Sequence, residues 1–152
     1  MINSKPEKKI KLTSVQNLIP PSPKVVAAAS LVFVLLLLAT PGPVIEWLKL
    51  MIALPVRPPS ASEFPTDKVV HCMMFAVCGF LVCRAWLATR GAMFIIAMLL
   101  AYAGLTEIIQ MMVPGRSGSV MDWLADAVGI LLGFWWFQRL GQKKARLVKA
   151  EL

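Results

Sequence analysis

The residues able to do chemistry are few, and they come at helical intervals. Asp67 and His71 stand four apart, Glu107 and Gln110 three apart, and Asp122 and Asp126 four apart. Each spacing puts both side chains on one face of a helix. A carboxylate beside an imidazole can act as general acid and base. The same oxygen-rich set with one imidazole also suits a hard or borderline divalent cation. Between Gln110 and Asp122 runs Val113-Pro-Gly-Arg116-Ser117-Gly-Ser119. Its glycines let backbone approach a ligand. An arginine and two hydroxyls ahead of a helix N-terminus can hold a phosphate or carboxylate. Asp67, His71, Glu107, Asp122 and Asp126 are therefore the candidate catalytic or metal-ligating groups. Gln110, Arg116, Ser117 and Ser119 are the candidate anion- or headgroup-binding groups.

Charge sharpens this reading. Asp67, Glu107, Asp122 and Asp126 bring 4 negative charges, and Arg116, Lys68 and a protonated His71 offset 3. The excess must be met by a bound cation, a held proton or access to water. Simpler roles compete with chemistry. Thr66 and Asp67 can start a helix, and Ser119 with Asp122 forms a capping-box-like start to another. His71 can bond a neighbour, and one structural network gluing helices together accounts for all of these residues. Glu107 and Asp126 resist the simple reading most, because they lie about one turn inside apolar runs.

The elements that carry these residues are hydrophobic. The chain has 152 residues, of which 58% are hydrophobic, and a mean hydropathy of +0.71. A soluble domain is usually about half apolar or less. Apolar runs at residues 25–40, 66–87, 92–113 and 120–140 read as spans of an all-α, integral membrane four-helix bundle, since a hydrocarbon core of about 30 Å needs roughly 20 helical residues. The first run is short. It reads as a retained helix, with a signal-peptide h-region as the alternative. Residues 44–54 either extend it past a proline kink or lie in the interface. Residues 55–65 read as an extended connection. Cys72, Cys78 and Cys83 share one helix at spacings that fit neither a CxxC metal site nor a disulfide framework, so they read as small apolar residues.

The formal net charge is +8. Twelve of the sixteen lysines and arginines fall in three alternate places: the tail 1–24, the second connection at Arg84 and Arg90, and the segment after the last run, including the tail 141–152. That alternation is the positive-inside pattern and puts both termini in the cytoplasm. It also argues against a nucleic-acid interface. With this topology all three polar pairs lie at the outer end of their spans. Proton-coupled transport fits less well, because transport sites tend to lie near the midplane. Gly129 and Gly133 form a GxxxG spacing, which allows close contact between helices or between copies of the chain in a homo-oligomer.

These residues resemble the VanZ-like family of bacterial membrane proteins. The matching pieces are Asp67-Lys-Val-Val-His71 with Phe75 and Gly79, Glu107-Ile-Ile-Gln110, Pro114-Gly-Arg116-Ser-Gly-Ser119, and Asp122-Trp-Leu-Ala-Asp126 with Gly129 and Gly133. They cover about Asp67–Gly133. Many members carry asparagine at the position of Asp126, so a charge there is a departure. The resemblance implies a multi-pass protein of the bacterial cytoplasmic (inner) membrane with four helices. It also implies a setting in the cell envelope, since the family's named member is associated with low-level resistance to the glycopeptide teicoplanin. It implies no particular reaction. With the residues above, the expectation is a protein that processes a phosphate-bearing lipid or a lipid-linked cell-wall precursor at the outer face, with an unidentified cofactor for which a divalent cation is the candidate. The alternative is a non-catalytic binder of a lipid headgroup or the antibiotic, or a recruiter of a partner protein.

Overall fold

A computed structural model describes residues 21–51 and 66–150. Of the expected basic tail 1–24, residues 1–20 lie outside that description and Pro23 and Lys24 belong to the first helix; the connection 55–65 and the capping side chain of Thr66 also lie outside it. The chain forms α1 (Pro23–Leu38), α2 (Gly42–Met51), α3 (Thr66–Trp86), α4 (Ala92–Met111) and α5 (Val120–Ala150). Strands are absent among the described residues. Three helices, α3, α4 and α5, are long and apolar enough to cross a membrane, and there are up to four crossings if the pair α1 and α2 counts as one broken span.

Local sequence sets most of the boundaries. Ser22 starts α1 by accepting the Val25 N–H on its Oγ at 3.3 Å, with Pro23 in the first turn, where a missing N–H costs nothing. Pro41, Gly42 and Pro43 then break the helix, because proline lacks a donor and disfavours a helical residue before it. The chain turns by 99° between α1 and α2. Residues 44–51 thus continue as a separate helix and not as a straight extension. Helix α4 ends at Met111, earlier than the expected 113. The chain there is already turning, with Val113 N–H on Gln110 O and Gly115 at φ 75°. Helix α5 runs past 140 to Ala150, through lysine, alanine and arginine, which favour helix. Its 31 residues span about 46 Å, so its last turns outreach a hydrocarbon core of about 30 Å.

Helix α3 is central and touches α1, α4 and α5. Against α5 the packing is backbone to backbone. A Cβ added at Gly129 would meet Cys72 O at 2.2 Å, and one at Gly133 would meet Ala76 O at 2.2 Å. The glycine spacing expected to join helices or copies joins helices of one chain, and in this packing it is not open to a second copy. A Gly133→Leu variant is therefore expected to force α3 and α5 apart at a cost of about 1–3 kcal/mol. Unfolding of the purified protein in micelles would read that loss.

Polarity is distributed inside out. Buried positions include His71, Thr106, Glu107, Gln110, Asp122 and Asp126, while Met93, Met112 and Val120 are at least three-quarters exposed. In water such a continuous apolar exterior would be a liability. Against lipid it is the expected surface, and the interior is where polar groups find partners.

Candidate functional site

Three helices each deliver one side chain to a single buried point. His71 comes from α3, Glu107 from α4 and Asp126 from α5. All three stand roughly 6–9 Å inside their helix ends, at 1.5 Å per residue, and at the same end of the molecule. His71 is 1% exposed, Asp126 0% and Glu107 7%. The imidazole Nδ1 lies 3.1 Å from Asp126 Oδ1 and 3.7 Å from Glu107 Oε1. Local sequence explains why these side chains point inward. The buried residues of α4 are Ile95, Leu99, Ala103, Thr106, Glu107 and Gln110, one face at intervals of three and four. On α5, Asp122, Asp126, Gly129 and Gly133 form the matching face.

Glu107 is held firmly on one side only. Its Oε2 accepts the backbone N–H of Ser119 at 2.7 Å. The loop can come this close because residue 118 is glycine; a Cβ there would lie 2.4 Å from Glu107 O. Ser119 Oγ in turn accepts the Met121 N–H at 3.1 Å and caps α5. This corrects the expected capping box. The backbone amide of Ser119 goes to Glu107 from another helix, and Asp122 instead meets Lys68 Nζ at 3.2 Å. The loop is braced from its other side too. Gly42 N–H, at the elbow between α1 and α2, donates to Pro114 O at 3.1 Å.

The other candidates take different places. Asp67 is exposed, one turn before His71. Asp122 is 5% exposed at its side chain and paired with Lys68, so it neighbours the cluster without joining it. Gln110 is buried, but its amide donates to Leu38 O at 3.4 Å, one of the carbonyls a helix end leaves without a partner. Its role here is to tie α4 to α1. Arg116 is half-buried and Ser117 exposed in the loop. In sequence Lys68 is only an offsetting charge, and its pairing with Asp122 appears in the structure. The signal was there in hindsight: it follows Asp67 and precedes His71 by three residues, so it looks along the same helix end.

Three buried polar atoms have no hydrogen-bond partner among the described residues: His71 Nε2, Glu107 Oε1 and Asp126 Oδ2. Buried polar atoms are usually satisfied. One such atom falls on each member of the cluster. A cleft of about 250 Å³ opens beside Glu107, between α4 and α5, with Gly104, Met111, Val120 and Trp123 among its walls. Trp123 Nε1–H donates to Leu100 O at 3.2 Å, which fixes the indole across the gap.

A family model described as VanZ/LLP1 matches residues 25–141. The chain belongs to the VanZ/LLP1 family. The match reaches well beyond the Asp67–Gly133 stretch that carries the sequence resemblance. It takes in α1, α2 and the apolar length of α5. The VanZ/LLP1 unit thus includes the elbow that braces the site loop as well as the three helices that furnish the cluster. No match is found among curated proteins or among solved structures.

Proposed function

We propose that this VanZ/LLP1 protein is a multi-pass protein of the bacterial inner membrane with cytoplasmic termini. On this reading it hydrolyses or transfers the phosphate group of a lipid or lipid-linked cell-wall precursor at the outer face. The observation that carries the proposal is the buried His71–Glu107–Asp126 cluster, with an unpartnered polar atom on each member and a cleft at Glu107. In this reading Asp126 holds the imidazole, and the free Nε2 of His71 exchanges the proton of the attacking or leaving oxygen. Glu107 Oε1 orients the attacking group. Apolar walls at Met111, Val120 and Trp123 suit a lipid chain arriving sideways from the membrane. Arg116, in the loop that Glu107 holds through Ser119, and Lys68, paired with Asp122 beside the cluster, are candidate cations for an anionic headgroup.

The test is turnover of polyprenyl phosphates and glycerolipid phosphates by the purified chain. His71→Ala and Glu107→Gln are expected to lower kcat by about 100-fold or more. Absence of turnover on all of these, with unchanged cellular function in both variants, ends the proposal. A second reading has its own support. The Glu107–Ser119 bond is structural, and a glutamine oxygen could accept the same N–H. A non-catalytic binder of lipid headgroups or of a glycopeptide such as teicoplanin would tolerate Glu107→Gln and show saturable binding without product.

A further inference from the structure

We propose that His71, Glu107 and Asp126 form a binding site for one divalent cation of the zinc or manganese class. A cluster of acids alone would not justify this. Three features together do.

The first is geometry. One ligand atom from each residue lies within 4.8 Å of the others. The distances from His71 Nδ1 are 3.1 Å to Asp126 Oδ1 and 3.7 Å to Glu107 Oε1. Bonds of about 2.1 Å in a tetrahedral site place neighbouring ligands roughly 3.4 Å apart. The two observed distances lie either side of that edge, the two carboxylates stand within 4.8 Å of each other, and an ion there would replace the His71 Nδ1–Asp126 Oδ1 hydrogen bond.

The second is the unpartnered atoms. Glu107 Oε1 and Asp126 Oδ2 are buried carboxylate oxygens without a donor among the described residues. Glu107 Oε1 points at the imidazole while its sister oxygen is held by Ser119 N–H. That arrangement is the way metal-ligating carboxylates are oriented: one oxygen fixed by the scaffold, the other left for the ion.

The third is charge. Two carboxylates stand beside a single imidazole. Lys68, one turn before His71 on α3, is engaged by Asp122 at 3.2 Å. A divalent ion would neutralise both carboxylates at once, where His71 could neutralise only one. The imidazole nitrogen favours zinc, and the two carboxylates also admit manganese, while magnesium and calcium prefer oxygen alone. Three protein ligands leave a coordination position open, the pattern of catalytic and not of structural zinc sites.

This inference shares its side chains with the lipid-phosphate reading but does not rest on the substrate. The experiment takes the full chain in lipid nanodiscs, equilibrates it with Zn²⁺ or, separately, Mn²⁺, removes free ion and counts metal per chain. About one equivalent is expected for at least one of the two ions. Glu107→Gln keeps an acceptor for Ser119 N–H and so keeps the fold, which circular dichroism would verify; it is expected to weaken retention by about tenfold or more. A variant with Cys72, Cys78 and Cys83 all changed to alanine is expected to retain the ion. No stoichiometric retention of either ion by the parent chain overturns the site, as does retention that survives Glu107→Gln or is lost in the cysteine variant while its helicity persists. Metal bound, with no turnover and unchanged cellular function in His71→Ala and Glu107→Gln, would sink the lipid-phosphate reading alone. Turnover by a chain that holds no metal would sink only this one.

Discussion

A His71→Leu variant is expected to unfold more easily than the parent chain by about 3–5 kcal/mol, because it leaves two buried carboxylates facing each other without a cation. Glu107 and Asp126 both lie against that imidazole, at 3.7 and 3.1 Å. Their desolvation is offset in the parent by shared contact with His71, and leucine offers nothing in return. The same physics makes a sharper forecast. Adding Asp126→Ala to His71→Leu removes one of the two stranded charges and leaves Glu107, so part of the lost stability should return. Replacing both partners of a buried ion pair by apolar groups is often neutral or even favourable. Unfolding in micelles of the parent, the single and the double variant would decide. A double variant less stable than the single would show that Asp126 is held by something other than the histidine. Neither variant should retain the proposed activity, so stability and function come apart in one series.

The second large effect belongs to Glu107. Glu107→Ala removes the acceptor of Ser119 N–H and leaves that half-buried amide without a partner, a loss of about 1–3 kcal/mol. Its consequence is local. The 113–119 loop and the first turn of α5 should exchange their amide hydrogens faster, while the middle of α3 stays protected. Glu107→Gln should keep the protection and differ only in charge. Equal loosening in both variants would mean that the carboxylate's charge, and not its hydrogen bond, anchors the loop.

The sequence shows some of this plainly and hides the rest for identifiable reasons. The apolar runs predict α3, α4 and α5 to within a few residues at most ends, because hydrophobic length is a strong signal against a bilayer. The polar spacings place His71, Glu107 and Asp126 on facing sides, because few other polar residues interrupt those runs. The partner of Glu107 is not legible. A local capping box between Ser119 and Asp122 looks sufficient in sequence, and only the close seating of Gly118 on α4 hands the amide to a residue on another helix. Gln110 looks like part of the site and serves α1 instead, since nothing in a linear chain shows that Leu38 O ends beside it. The use of Gly129 and Gly133 is equally ambiguous from sequence, because one glycine ridge serves a helix of the same chain or of another equally well. The elbow after Thr40 is foreshadowed by its prolines. Its 99° angle is not, because proline predicts a break and not a direction.

The order in which the ribosome delivers these helices has a consequence of its own. His71 and Asp126 are 55 positions apart. At synthesis rates of about 5–20 residues per second, roughly 3 to 11 s pass after the imidazole is made before its aspartate exists. During that interval a nascent chain displays an unescorted polar ring in a greasy segment. Proteases and insertion factors that patrol for such defects have their best opportunity then, and any lesion that slows delivery of the final helix should show up as lower protein abundance before it shows up as lower activity.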